Sequence, residues 1–112
     1  MSFEVIATDP FERKLKRLAK KHKSIALDLA SIFEELEENP TLGVYLGKNC
    51  YKIRVAISSK GKGKSGGARI ITYVRVVKNT VFLMDIFDKT EQSTITDKEI
   101  QILINSLVED DN

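Results

Sequence analysis

At Tyr51 the spacing of apolar residues changes period, and that change limits the folds open to the chain. From there they recur at every second position (Tyr51, Ile53, Val55, Ile57), with Lys52 and Arg54 pointing the other way, as in a strand with one buried face. Before it they recur every three or four residues: Phe11, Leu15, Leu18 and Ala19, then Ile25, Leu29, Ile32, Phe33 and Leu36. Helices alone do not explain the first pattern, and strands alone do not explain the second. The chain must build a sheet and lay helices on it. Its 112 residues are the size of one domain, expected to span 1–112.

The order of elements follows from local signals. Phe3 to Thr8 alternates and reads as a short strand. Asp9, Pro10 and Glu12 then open a helix, with an acid at the cap and proline at the first helical position. Arg13, Lys14, Lys16, Arg17, Lys20 and Lys21 fall outside its apolar stripe. Ser24 is placed to cap a second helix, which Asn39-Pro40 ends because the residue before proline is pushed out of the helical region. These two helices are expected to form an antiparallel hairpin. Ser58 to Gly67 is a basic, glycine-rich connection expected to be flexible. Strands from Ala68 to Val77 and from Thr80 to Phe87 flank a turn at Lys78-Asn79. Thr96-Asp97-Lys98-Glu99 is a capping box opening a last helix with the stripe Ile100, Leu103, Ile104, Leu107 and Val108. The expectation is an α+β sandwich: strand, two helices, three antiparallel strands and a helix, with the helical hairpin packed on a four-stranded sheet.

The net charge of +2 conceals a strong segregation. Residues 39–84 carry nine Lys or Arg and no acid, whereas residues 85–112 carry two basic and eight acidic residues. Scattered lysines alone more often make a solvated face, but a segment this one-sided suits a polyanion. If the apolar faces of the strands pack on the helices, Lys52, Arg54, Arg69, Tyr73 and Arg75 share the opposite face. Lys60, Lys62 and Lys64 then lie in the loop at its end. Cations beside an aromatic suit a phosphate backbone with unstacked bases.

Other chemistries are poorly supported. Cys50 is the single cysteine, which excludes an internal disulfide framework and fits a reducing compartment. His22 is the only histidine, so no His/Cys zinc site is expected, and its place after Lys20 and Lys21 suits the negative end of a helix dipole. Gly63-Lys64-Ser65 resembles the end of a P-loop, but Ser58 stands where that motif needs glycine and a strand follows instead of a helix. The run Val81-Phe82-Leu83-Met84 is far short of the ~20 residues of a membrane span, and Glu4 stands where a signal peptide needs lysine. A soluble, cytoplasmic protein without cofactor, metal or membrane partner is expected.

Three stretches resemble the RelE/HigB family of bacterial toxins. They are Cys50-Tyr51-Lys52-Ile53-Arg54, then Lys62-Gly63-Lys64-Ser65-Gly66-Gly67-Ala68-Arg69-Ile70-Ile71-Thr72-Tyr73, then Phe87-Asp88-Lys89-Thr90-Glu91. The resemblance extends in element order across nearly the whole chain. It implies a RelE-like fold and a ribosome-dependent mRNA endonuclease, held inactive by a cognate antitoxin in a hetero-oligomer. The partners implied are that antitoxin, acidic or amphipathic and covering the basic face, together with the ribosome and mRNA.

Cutting RNA without metal needs a base for the ribose 2′-hydroxyl, cations for the phosphorane and an acid for the departing 5′-oxygen. Lysine can be the base if neighbouring cations lower its pKa. By family position Lys52 is the expected base, with Lys62 and Lys64 as rivals. Arg69 would stabilise the transition state, Arg54 would grip phosphate, and Lys89 would be the acid or a charge stabiliser. Tyr73 would stack on a base, a contact worth ~1–3 kcal/mol, while Lys60, Lys62 and Arg75 would add RNA contacts. Unlike some relatives, the chain has no histidine or late tyrosine near its C-terminus for proton transfer. Two alternatives stay open: a ParE-like toxin that inhibits DNA gyrase without cleaving RNA, and an inactive RNA-binding relative. The lysine loop with Lys52, Arg54 and Arg69 argues against the first.

Overall fold

The computed structural model describes residues 2–110, without the side chains of residues 108–110, so the expected place of Val108 in the last apolar stripe lies outside the described residues. Three helices, α1 (Asp9–Lys21), α2 (Ile25–Glu38) and α3 (Asp97–Asp110), enclose one mixed sheet. Its strands are β1 (Glu4–Ala7), β2 (Val44–Gly47), β3 (Cys50–Val55), β4 (Ala68–Arg75) and β5 (Thr80–Asp88), in the order β1-β5-β4-β3-β2. β1 runs parallel to β5, and every other pair is antiparallel.

The expected α+β class holds, with five strands instead of four. The additional strand, β2, pairs Val44 with Lys52 and Tyr45 with Tyr51 through a tight turn at Lys48-Asn49. Both turn residues have positive φ, 54° and 63°. Such turns favour Asn-Gly, so a lysine in the first position hides the signal.

Local chemistry accounts for the helix ends. Thr8, not Asp9, caps α1: its Oγ1 accepts from the Phe11 N–H at 3.5 Å and donates to the Leu83 carbonyl at 2.8 Å, fixing the helix start to β5. Asp9 lies in the first turn, where a carboxylate still favours the positive end of the dipole. Ser24 occupies the cap position of α2, but its hydroxyl donates to Asp28 Oδ2 at 2.8 Å and leaves the helix N–H groups alone. The capping box of α3 forms in both directions, with the Glu99 N–H on Thr96 Oγ1 (3.1 Å) and the Thr96 N–H on Glu99 Oε1 (3.2 Å).

The sheet is covered on both faces. On one, Phe11, Leu18, Ile25, Leu29 and Leu36 of the helical hairpin meet Ile53, Val55, Ile70, Val74, Val81, Leu83 and Ile86. Each such side chain contributes roughly 1.5–3 kcal/mol by leaving water. On the other, Ile100 and Leu107 of α3 pack on Cys50, Ile71, Met84 and Phe87, with Tyr73, Phe82, Leu103 and Ile104 around them. The face expected to display cations is therefore roofed along much of its length. A bulge at Met84, between the Ile71–Asp85 and Thr72–Leu83 pairs, re-phases β5. Cys50 is fully buried, and burial pushes its thiol up to about 11, so it stays protonated and inert at neutral pH.

Candidate nucleic-acid interface

Strand register lines up the side chains of the α3 face in rows. Cys50, Tyr73 and Phe82 form one row across β3, β4 and β5, Lys52 and Ile71 lie in the next, and Arg54, Arg69 and Phe87 in the one after. Successive rows lie two residues apart, about 7 Å. α3 packs over the first, so Tyr73 is half-buried with its ring 6.4 Å from Phe82, and Arg75 sits 5.2 Å above the Phe82 ring. Tyr73 and Arg75 thus belong to the far end of the face. Arg75 lies six residues along β4 from Arg69, about 20 Å.

At the near end Arg54 is exposed, Lys52 half-buried, and Arg69 only 2% exposed. Arg69 and Arg54 are directly opposite, an arrangement of like charges that weakens a sheet. Burial, and Arg54 beside it, hold the Arg69 guanidinium below its usual value. Its Nη1 donates to the Lys64 carbonyl (2.8 Å) and the Ala68 carbonyl (3.1 Å). Arg69, expected to stabilise a transition state, lies beneath the loop with its guanidinium on the Lys64 carbonyl.

That loop, expected from its glycines to be a flexible connection, carries local turns. Ser58–Lys60 and Lys64–Gly66 each form a short 3₁₀ turn, and Gly61 and Gly63 take φ of 69° and 64°, where glycine carries no steric penalty. Lys62 and Lys64 are exposed on it. Gly67 closes the loop against β3: an added Cβ would collide with the Val55 carbonyl oxygen and come within 3.0 Å of the Ala56 Cα. Because that wall is strand backbone, Gly67→Ala is expected to cost about 2 kcal/mol or more, read as a lower urea midpoint. An unchanged midpoint would show that the loop is not seated there.

A second cluster pins the other side of the loop. Asp88, at the end of β5, accepts from Lys60 Nζ (2.8 Å), from the Thr90 N–H (3.0 Å) and from Thr90 Oγ1 (2.8 Å), with His22 Nε2 at 3.1 Å. Burial pushes the Asp88 carboxyl up, but these bonds outweigh it and hold it well below the usual range. Lys60, expected to bind RNA, is thus drawn into an ion pair at 12% side-chain exposure. His22 sits at the C-terminal end of α1, as the dipole reading expects, and also bonds across to β5. Asp88 itself had no assigned role in the sequence. Asp88-Lys89-Thr90, in which the carboxylate bonds its own backbone two residues on, was the available signal.

Lys89 follows on the edge of the site. Its N–H donates to the Gly67 carbonyl (2.9 Å) and its Nζ to the Ser93 carbonyl (3.0 Å). A groove of about 400 Å³ runs between α2 and β3, lined by Leu27, Ile32, Val55 and Ala56, with Arg54 and Lys64 also lining it. Among the described residues no group of three or more His, Cys, Asp or Glu side chains could hold a metal ion, and no helix is long and apolar enough to cross a membrane.

Exposed Arg54 and Lys64 and half-buried Lys52 gather around the buried Arg69 at the end of the sheet away from the Tyr73–Phe82 row, in a small α+β domain. Residues 11–107 match the family described as RelE toxin of the RelE / RelB toxin-antitoxin system. The chain belongs to this RelE toxin family. Its fold is similar to that of a double mutant of the E. coli toxin RelE in the free state, with 18% identity and a TM-score of 0.59 over 83% of this chain and 90% of that one. It is also similar to a chain of the intact E. coli RelBE toxin-antitoxin complex, with 20% identity and a TM-score of 0.57 over 78% of this chain and 96% of that one.

Proposed function

We propose that the protein is a ribosome-dependent mRNA endonuclease, the toxin of its pair, cleaving RNA without metal by attack of the ribose 2′-hydroxyl. The observation that carries this reading is the cross-strand pairing of exposed Arg54 with buried Arg69, with Lys64 folded over it and Lys52 one row away. A base removes the 2′-hydroxyl proton, the oxygen bonds to phosphorus, charge gathers on the non-bridging oxygens, and the P–O5′ bond breaks as the leaving oxygen takes a proton. The products are a 2′,3′-cyclic phosphate and a 5′-hydroxyl.

Lys52 stands in the position of the base, with Lys62 and Lys64 within the same loop-and-strand surface. Arg54, exposed and without an ion pair among the described residues, would grip phosphate. Arg69 is a positioning residue: it supplies a fixed positive field from beneath and anchors the loop through the Lys64 carbonyl. Lys89 would give up its bond to Ser93 to reach the leaving oxygen. A cognate antitoxin, acidic or amphipathic, would silence the cytoplasmic toxin by covering these cations in a hetero-oligomer.

In a translation extract the wild-type protein is expected to cut ribosome-bound mRNA and leave 5′-hydroxyl ends. Arg54→Ala should lower the rate by about 10²-fold, the scale of losing one transition-state charge contact, with an unchanged unfolding midpoint. Intact message with the wild type would defeat the reading, and 5′-phosphate ends would rule out 2′-hydroxyl attack.

A further inference from the structure

The groove between α2 and β3 opens beside the Arg54–Arg69 row, since Arg54 and Lys64 line it and the Lys64 carbonyl holds Arg69. Leu27 and Ile32 form its wall on α2, and Val55 and Ala56 its wall on β3. One carboxylate, that of Asp28, also lines it. Arg54 and Lys64 share the groove with Asp28, yet neither forms an ion pair with it.

Three hydrogen bonds fix the Asp28 carboxylate. Ser24 Oγ (2.8 Å) and the Ser58 N–H (2.9 Å) donate to Oδ2, and Ser58 Oγ donates to Oδ1 at 2.6 Å. Burial pushes this carboxyl up, but the bonds from Ser58 and Ser24 outweigh it and hold it below its usual value. An ionised carboxylate has about four acceptor positions. Among the described residues, one position on Oδ1 is therefore unfilled.

A nucleotide matches this arrangement of cations, apolar walls and a fixed acceptor. Its phosphate suits Arg54 and Lys64, and its flat base suits the walls. The exocyclic amino group of cytosine, adenine or guanine is a donor for a carboxylate. An acidic peptide would instead bring a second carboxylate beside Asp28.

We propose that this groove is a base-selecting subsite. The base next to the phosphate held at Arg54 lies between the apolar walls and donates its amino hydrogen to Asp28. This rests on the proposed function in taking RNA as the ligand.

Cytosine carries an amino group where uracil carries a carbonyl, so that pair makes the test. Binding of an oligocytidylate and an oligouridylate of equal length is read by fluorescence anisotropy. The wild type should prefer the first about tenfold, the lower end of what one base contact contributes. Asp28→Asn should lose or reverse the preference. Its amide oxygen must face the Ser58 N–H, which leaves the NH₂ group at the open position to donate to the uracil carbonyl. Leu27→Ser, at a side chain 81% exposed, should weaken both RNAs alike.

Equal wild-type affinities, or a preference that Asp28→Asn leaves intact, overturn the inference. An equal loss of both RNAs in Asp28→Asn, with a lower unfolding midpoint, makes Asp28 a loop anchor only and overturns it. Full RNA binding by Leu27→Ser, with lost binding of a peptide of alternating glutamate and leucine, assigns the groove to a protein and overturns it. Cleavage in the translation extract is scored separately. Cutting without base preference defeats this inference alone, and base preference without cutting defeats the endonuclease reading alone.

Discussion

Replacing Arg69 with methionine is expected to abolish RNA cleavage, by about 10²-fold or more, while leaving the protein as stable as before or slightly more so. The expectation follows from how this charge is buried. Arg69 is 2% exposed, its bonds go to the carbonyls of Lys64 and Ala68, and its cross-strand neighbour is another arginine. Taking a guanidinium out of water costs several kcal/mol unless good partners repay it, and apolar replacement of buried ions is often neutral or stabilising. Methionine fills much of the same volume and relieves the repulsion with Arg54. What is lost is the field beneath the phosphate and the anchor on the loop. Arg69→Lys should fall between, since it keeps the charge without the planar fork. Urea midpoints and cleavage rates read the two effects apart. A large fall in the midpoint of Arg69→Met would make Arg69 a structural pin, and full activity would remove it from the site.

Asp88→Ala should have the largest effect on stability. Asp88 joins the end of α1 through His22, the Ser58–Lys60 turn through Lys60, and the end of β5 through Thr90. Its removal strands the Lys60 ammonium at low exposure, and breaking a buried pair in this way costs about 3 kcal/mol. For a domain of this size that corresponds to a melting temperature lower by about 10 °C or more.

The effect carries a pH signature. An aspartate in the unfolded chain titrates near ~3.9, whereas the folded carboxyl is held well below that. Its contribution is therefore complete above about pH 4–5 and drains away as the pH falls through the unfolded value toward the folded one. Between about pH 5 and pH 3 the wild type should lose more stability than Asp88→Asn, which cannot ionise. Parallel pH curves for the two would contradict the pairing.

The parts of this fold that the sequence displays are those whose signals are local. The capping box at Thr96 and Glu99, the two helical stripes and the period-two strands each depend on a few neighbouring residues, and all are present in the structure. β2 was hidden because its turn places a lysine at positive φ, and Thr8 took the cap from Asp9 because it also bonds to the distant Leu83. The position of α3 had a signal. Ile71 stands between Arg69 and Tyr73 on the supposedly open face, and the apolar stripe of α3 needed an apolar partner. Alternation alone put Lys52, Arg54 and Arg69 on one face. It could not show that Arg69 is buried, since that depends on a loop folding back over it. Nor could it separate Lys60 from Lys62 and Lys64, because the partner that claims Lys60 is 28 residues away.

The strand order also governs when the protein can become harmful during its own manufacture. β1 is made before β5, yet among the described residues β5 is the one strand it pairs with, Val5 lying opposite Val81. The Arg54–Arg69 row likewise needs Phe87 beside it, and the loop needs Asp88 to hold Lys60. Contacts this distant in sequence form late and slowly. A nascent chain that has not yet released residues 80–88 holds its cations on an unfinished sheet, so the cluster matures only after synthesis has passed that point. On the proposed function, the ribosome making the chain would meet the completed cluster only after residues 80–88 have left it.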